Sequence, residues 1–258
     1  MSRTRLMAIV AGAVAVAALG SACGSSSDAN QAKAAIRAVG RAPSVVSSAP
    51  SPGQRFPSYT ATAVQAQVDV HSSPAGPITT TLTNPISGGT PLTFLLTPDP
   101  TQTGGPNWVQ VYLPVRPNGS TGWIPTSQVK IQGNQYRVVI NLSAHQGSLY
   151  TNSSLEHSFP VAIGASGTPT PQGTFYITEL LKPVNPAVYG DYAYGLSGHS
   201  PTLTDFDGYD AEVGLHGTND PSSVGHSVSH GCIRLYNADI DTLVAMGLPL
   251  GTPVEVVA

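Results

Sequence analysis

Glycine and proline recur so densely along this sequence that few stretches can form a long helix. The 258 residues include 27 Gly and 23 Pro, and both residue types interrupt helices and mark turns. Between the turns lie short runs such as 64–70, in which Val64, Val68 and Val70 alternate with polar residues. Such alternation is typical of strands with one buried face. The sequence therefore predicts a mainly β protein.

Residues 1–22 have the pattern of an export signal peptide. Arg3 and Arg5 precede an apolar run that ends at Leu19, and this run is shorter than the ~20 residues that span a membrane. The next residues, Gly-Ser-Ala-Cys at 20–23, resemble a lipobox, which implies lipidation of Cys23. The alternative is an ordinary cleavable signal followed by an incidental cysteine. We expect an extracytoplasmic protein, anchored to the bacterial cell membrane and facing the cell wall.

A tether is expected to follow at residues 23–58, because this stretch is rich in Ala, Ser and Pro. As a flexible coil it would span roughly 30–35 Å. Without residues 1–22, 9 basic and 14 acidic residues remain, a net charge of −5. That balance argues against nucleic-acid binding, which requires a basic face.

Two β-rich domains are predicted beyond the tether, at 59–131 and 134–258. The first ends in Gly122-Trp123-Ile124-Pro125 and resembles a bacterial SH3-like β-barrel, which implies either wall binding or a spacer role. In the second, short strand patterns precede one helix expected over 238–246, with Asn237 as its cap and Gly247 at its end.

Cys232 is the most informative single residue. Apart from Cys23 it is the only cysteine, so it has no disulfide partner, which is unusual in an exported protein. His216 and His230 lie within sixteen residues of it, and an imidazole can activate a thiol as a nucleophile. Gly231 directly before the thiol lets backbone N–H groups approach a substrate oxygen.

The region around Cys232 resembles the catalytic signature of the YkuD-type L,D-transpeptidases. The motif comprises His216, a spacer, and the run Ser229-His230-Gly231-Cys232-Ile233-Arg234, and the likeness extends upstream through 170–175 and 194–198. The resemblance implies a YkuD-type β-sandwich catalytic domain with one short helix, and an enzyme that needs no cofactor and no metal.

The resemblance also implies the role of each residue. Cys232 is the nucleophile and His216 the base. The Gly217 carbonyl orients the imidazole, and Gly231 and Cys232, with His230, supply the oxyanion hole. Substrate-binding residues are Arg234, which can clamp a carboxylate, together with Ser229 and Tyr194. The implied partners are donor and acceptor peptidoglycan stem peptides, joined by 3→3 cross-links, and carbapenems as covalent inhibitors.

Three alternatives remain open at this point. Water instead of an amine would resolve the thioester in an L,D-carboxypeptidase. His216, His226, His230 and Cys232 would hold zinc in a metallohydrolase, and a lipid-anchored wall-binding protein would carry an inactive domain. The acidic run 205–212 is either a solvated turn or a recognition site for the free amine of diaminopimelate.

Overall fold

The computed structural model describes residues 56–97, 105–183, 186–205 and 210–258, together with the backbone of 36–38. The predicted signal peptide, Cys23 and nearly all of the predicted tether lie outside these residues. Among the described residues, no helix combines the length and apolar character needed to cross a membrane.

Residues 58–134 form two small antiparallel sheets around a core of their own. The first described strand, β1 Ile36–Ala38, lies outside this unit and pairs with the larger sheet. The strands of the unit are β2 Ser58–Ala63, β3 Gln67–His71, β4 Ile78–Thr83, β5 Thr93–Leu95, β6 Trp108–Tyr112, β7 Thr121–Pro125 and β8 Val129–Asn134. They form one sheet of order β5-β2-β8 and one of order β4-β3-β7-β6, and a bridge between Leu96 and Val111 connects the two. The core contains Val68, Phe94 and Ile124, all fully buried.

The alternation predicted over 64–70 belongs to a strand only in part. Val68 and Val70 are buried on β3 as expected. Val64 is 57% exposed and lies in the connection after β2. The reason is that β2 and β3 belong to different sheets, so the chain has to turn between them.

Residues 136–257 form the larger sheet. The elements of this region are β9 Tyr136–Asn141, β10 Gln146–Thr151, β11 Ser154–Pro160, β12 Ile163–Gly164, β13 Gly173–Pro183, α1 Pro186–Tyr189, β14 Ala193–His199, β15 Glu212–His216, β16 Ser227–Ser229, β17 Ile233–Arg234, α2 Asn237–Ala245 and β18 Pro253–Val257. The order of strands in the sheet is β11-β10-β9-β18-β13-β14-β15-β17, with β1 paired to β13.

The long strand β13 joins the two halves of this sheet. Its first half pairs with β18, and its second half pairs with β14 after a register shift between Ile177 and Glu179. Side chains from both halves, such as Val254 and Leu215, enter one buried cluster. The mainly β class is therefore confirmed, with few helices.

The helix predicted over 238–246 is present as α2. Ile240 and Leu243 are buried, Val244 is partly buried, and Gly247 follows with φ +69°. The predicted cap is wrong: Tyr236 occupies the N-cap position and supplies no side-chain hydrogen bond. Asn237 is the first helical residue, and its side chain is used elsewhere, near the candidate site.

The smaller unit packs directly against the larger sheet. The Asn134 amide donates to the Thr252 hydroxyl at 3.0 Å, and the Tyr176 hydroxyl donates to the Tyr112 carbonyl at 3.3 Å. Gly251 lies so close to β2 that an added Cβ would approach Thr60 Cγ2 to 2.6 Å. The position of one unit is thus set by side chains of the other.

Gly251→Ala tests the tightness of this junction. Gly251 has φ +82° and faces Thr60, so we expect overpacking and backbone strain to cost about 1–3 kcal/mol of unfolding free energy. The matched control is Gly167→Ala, because nothing lies within 4 Å of a Cβ there. Chemical denaturation measures both, and equal stability of the two variants would contradict the close packing.

Candidate active site

A short parallel ladder brings Cys232 and His216 to neighbouring positions. Strand β15 pairs with β17 so that Leu215 faces Ile233 and His216 faces Arg234. Cys232, one residue before β17, therefore comes beside Gly214, and the Gly214 N–H donates to the Cys232 sulfur at 3.3 Å. Residues sixteen positions apart in the sequence are thus juxtaposed by pairing of only two residues on each strand.

Gly214 lies beside both of these groups. A Cβ at this position would lie 3.6 Å from His216 Cδ2 and 3.8 Å from Cys232 Sγ. The thiol and the imidazole therefore face the same side of β15, over the same bare backbone. Gly214 is not among the predicted site residues, although a glycine inside a strand two residues before a candidate base is typical of a place where another group approaches the backbone.

The imidazole of His216 is held in one tautomer. Its Nδ1 lies 2.6 Å from the Gly217 carbonyl oxygen, and since a carbonyl only accepts, Nδ1 carries the proton. Nε2 is then an acceptor, as a general base requires. The Tyr189 ring packs against the imidazole at 4.9 Å between centroids, with an interplanar angle of 62°.

Asn237 fixes the chain just after His216. Its Oδ1 accepts a hydrogen bond from the Thr218 N–H at 2.9 Å, and a Cβ added at Gly217 would lie within 2.5 Å of that oxygen. This is the use of Asn237 that replaces the predicted helix cap. The Gly217 carbonyl that orients His216 thus lies next to a position anchored on α2.

The turn before Cys232 is locked by the Ser229 hydroxyl. It donates to the Cys232 carbonyl at 2.6 Å and accepts from the Gly231 N–H at 3.1 Å. The Gly231 carbonyl in turn accepts from the Thr170 hydroxyl at 2.9 Å, and Gly231 has φ +117°, which favours glycine. Ser229 is therefore a buried residue at the pocket lining whose hydroxyl shapes the turn.

These contacts change the expected oxyanion donors. The Gly231 N–H, expected to contribute, is already engaged by Ser229. For the Cys232 N–H, the described part of the chain presents no hydrogen-bond acceptor. His230 is exposed and lines the pocket beside it.

Desolvation keeps both reacting groups neutral at rest: the His216 side chain is buried, and the Cys232 side chain is partly exposed at the pocket. The pKa of His216 is lowered from 6.5 to about 4, mainly by burial, against the opposing hydrogen bond to Gly217 and with a further lowering by the charge of Arg234. Burial also raises the pKa of the Cys232 thiol, although the Gly214 N–H and Arg234 act to lower it. The resting pair is therefore a thiol beside a neutral imidazole, not an ion pair.

One pocket contains both groups. Arg234 lies on its lining and is partly exposed, so its guanidinium is placed to meet a carboxylate. Outside the motif, lining residues come from α1, from β15 and from the residues between β14 and β15. The lining residues are Val188, Tyr189, Ser200, Leu203, Ala211, Glu212, Val213, His216, Ser229, His230, Gly231, Cys232 and Arg234.

Tyr194 is not part of this pocket, and its expected substrate-binding role is corrected. It is 1% exposed, and its hydroxyl donates to the Leu243 carbonyl at 3.4 Å within the core. Desolvation accordingly raises the pKa of Tyr194 above its ordinary value. A side chain enclosed in this way contacts the core and no substrate.

The zinc alternative finds no support in the geometry. Within the described ranges, no three His, Cys, Asp or Glu side chains are grouped as ligands for a metal ion. His226 is exposed and does not line the pocket, and the Nδ1 atom of His216 is committed to Gly217.

The neutral resting pair predicts how the Cys232 thiol reacts without substrate. We expect iodoacetamide to alkylate it slowly at pH 7 and about tenfold faster per pH unit up to pH 9, because only the thiolate reacts. Peptide mass spectrometry distinguishes Cys232 from Cys23. A rate that is already constant below pH 7 would instead reveal a thiolate–imidazolium pair.

Comparison with known proteins agrees with this geometry. Residues 135–256 match the profile of the YkuD family, the L,D-transpeptidase catalytic domain. The L,D-transpeptidase YkuD of Bacillus licheniformis is 35% identical over 121 residues, which cover 47% of this chain and 65% of that protein. YqjB of Bacillus subtilis, also named an L,D-transpeptidase, is 32% identical over 136 residues, or 50% of this chain and 75% of that protein.

A solved structure, L,D-transpeptidase 3 from Mycobacterium tuberculosis, matches with a TM-score of 0.44 at 16% identity, covering 65% of this chain and 92% of that chain. This chain spans 65% of the length of the two Bacillus YkuD relatives. Because three quarters of YqjB is covered at 32% identity, and the range that matches the family profile contains both His216 and Cys232, the chain belongs to the YkuD family of L,D-transpeptidases.

Proposed function

We propose that this chain is an L,D-transpeptidase that forms 3→3 cross-links between peptidoglycan stem peptides. The observation that carries the proposal is the placement of Cys232 and His216 over Gly214 in one pocket, with the imidazole oriented by the Gly217 carbonyl. A thiol, an oriented base and a pocket that contains an arginine suit acyl transfer from a peptide that carries a carboxylate.

The first half-reaction releases D-Ala. The Cys232 sulfur attacks the carbonyl between the third stem residue and D-Ala, and the thiol proton moves to His216 Nε2. The tetrahedral intermediate collapses, the C–N bond breaks, and the Nε2 proton goes to the departing amine. The donor stem is left as a thioester on Cys232, and the imidazole is neutral again.

The second half-reaction forms the cross-link. The side-chain amine of an acceptor stem attacks the thioester and gives its proton to His216. The C–S bond breaks as the new amide forms, and the proton returns to the sulfur. A water molecule in place of the amine would produce a trimmed tripeptide, which is the carboxypeptidase alternative.

Oxyanion stabilisation is assigned to the Cys232 N–H, with His230 beside it. The Gly231 N–H donates to the Ser229 hydroxyl and thereby stabilises the turn that orients the Cys232 N–H. Such donors act on the charge that develops at the substrate oxygen and are typically worth 10²–10³-fold in rate each. Arg234 binds a substrate carboxylate from its place on the lining.

The smaller unit is assigned to the bacterial SH3-like barrels. Its three- and four-stranded sheets, its separate core and the Gly122-Trp123-Ile124 sequence on β7 support this. Its contacts with the larger sheet favour a role as a packed spacer. An experimental structure of this unit with a different strand order would contradict the assignment.

The experiment that tests the activity uses disaccharide-tetrapeptide and mass spectrometry of the products. We expect the wild type to release D-Ala and form a cross-linked dimer, and Cys232→Ala to abolish both, because the Cys232 thiol is the nucleophile that His216 is placed to deprotonate. His226→Ala is the matched control, since His226 is exposed outside the pocket and its loss leaves turnover intact.

The outcomes separate the alternatives. Tripeptide without dimer would identify a carboxypeptidase, and full activity of the Cys232→Ala variant would exclude the thiol mechanism. A carbapenem provides an independent probe of acylation, because Cys232 opens its strained lactam. We expect one added drug mass on the wild type and none on Cys232→Ala.

The anchoring proposal rests on the sequence alone. We expect Cys23→Ser to release the protein from the bacterial membrane fraction without changing turnover, because lipidation at Cys23 would be the anchor. Fractionation followed by the tetrapeptide assay measures both properties. A Cys23→Ser protein that still sediments with membranes would point to another anchor and leave the lipoprotein assignment wrong.

A further inference from the structure

We propose that Arg116, on the smaller unit, is a positioning residue for the substrate pocket of the larger one. Arg116 forms hydrogen bonds with the stretch that runs from the last residue of β14 to the start of β15. We term its described residues, 199–205 and 210–211, the wall segment. The proposal deepens the proposed function and rests on it for the identity of the substrate. The clamp that these hydrogen bonds form is a property of the fold.

The Arg116 guanidinium contacts both ends of the wall segment. Its Nε donates to Asp210 Oδ1 at 2.8 Å, Nη1 donates to the Ser200 carbonyl at 2.8 Å, and Nη2 donates to the Leu203 carbonyl at 2.9 Å. Three different N–H groups thus reach three acceptors, two after β14 and one before β15. A planar fork of donors makes this possible, whereas a lysine ammonium is a single point charge.

Asn118, two residues further on, adds a second attachment. Its amide nitrogen donates to the His199 carbonyl at 2.7 Å, and its amide oxygen accepts from the His199 N–H at 2.9 Å. This reciprocal pair copies the hydrogen bonds of a neighbouring strand at the last residue of β14. The buried His199 ring also lies 3.1 Å from Asp210 through Nε2.

The clamped residues are the ones that shape the pocket. Ser200, Leu203 and Ala211 line it together with residues of the Cys232 motif. The Ser200 hydroxyl accepts from the Leu203 N–H at 3.1 Å, so the two carbonyls held by Arg116 belong to one compact turn. Directly after Ala211 the chain enters β15, which carries His216.

Loss of the Arg116 contacts should therefore weaken substrate binding without slowing the chemical step. His216 and Cys232 are held by β15, β17, Gly217 and Ser229, and none of these contacts involves Arg116. The position of the wall segment depends on hydrogen bonds from Arg116 and Asn118. Loss of the clamp is expected to disturb how the substrate fits and to leave the thiol and its base in place.

The acidic run 205–212 acquires a role from this geometry. Asp210 is 46% exposed, and its two carboxylate oxygens pair with Arg116 and His199, so we assign it to support of the wall segment rather than to a substrate amine. Partly exposed ion pairs contribute little to stability, typically about 0–1 kcal/mol. The clamp thus matters for the position of the wall more than for the overall unfolding free energy.

The test compares Arg116→Ala and Arg116→Lys with Arg137→Ala as the matched control. Arg137 makes an ion pair with Glu255 at 3.0 Å, with side-chain exposures of 35% and 36% against 33% and 46% for Arg116 and Asp210. It does not line the pocket. Arg137→Ala therefore removes an equivalent charge pair and leaves the wall segment untouched.

We expect Arg116→Ala to raise KM for the disaccharide-tetrapeptide about tenfold, the size of one lost binding contact of ~1.4 kcal/mol. We also expect kcat and the iodoacetamide alkylation rate of Cys232 to stay within about twofold of wild type. Arg116→Lys should give an intermediate KM, and Arg137→Ala an unchanged one. An unchanged KM in Arg116→Ala, or equal losses in kcat and alkylation, would overturn the positioning role.

Amide hydrogen exchange makes the outcome independent of the substrate. We expect faster exchange in peptides from 199–205 in Arg116→Ala and wild-type exchange there in Arg137→Ala, because local opening follows the loss of local contacts. Unchanged exchange in Arg116→Ala would overturn the clamp. If wild-type protein does not act on the tetrapeptide, the proposed function fails, while the exchange result still decides the clamp.

Discussion

The site depends on the parallel pairing of β15 with β17, which covers only two residues on each strand. The chain between them leaves the sheet after His216 and returns at Ile233. Three hydrogen bonds hold this connecting segment. The Thr218 N–H donates to the Asn237 side chain, the Ser223 N–H donates to the Asp220 carbonyl, and the Ser229 hydroxyl donates to the Cys232 carbonyl. Each of these bonds involves a backbone group. Polar contacts near the site therefore support the β15–β17 register that places the thiol beside its base.

The balance of burial and charge then decides the chemistry at rest. Desolvation outweighs both the Gly214 N–H and Arg234 at the thiol, because removal from water disfavours the thiolate more than one weak donor and one partly exposed cation favour it. The thiol proton consequently has to move as the sulfur attacks. A neutral thiol also reacts slowly with oxidants, so the raised pKa of Cys232 protects the nucleophile between turnovers, although its side chain is partly exposed.

Local patterns foretold much of this arrangement, and long-range contacts account for the rest. His216 and Cys232 were identified because their motif lies within one short stretch of sequence, and α2 because its apolar spacing is helical. Tyr194 was misplaced, since the side of β14 that it faces is set by pairing with Leu180 and Leu215. Arg116 was missed because its acceptors lie 84 to 94 residues further along the sequence, and no local pattern encodes such a contact.

The position of β18 determines when the site can form during folding. This strand lies between β9 and β13 in the interior of the sheet and pairs with Tyr136–Asn141, which precede it by more than a hundred residues. The smaller unit, by contrast, is complete by Asn134 and contains no part of β18, so it can fold first. The unit that carries Arg116 can therefore form before the catalytic sheet is closed. That sheet is completed only when residues 253–257 insert between β9 and β13.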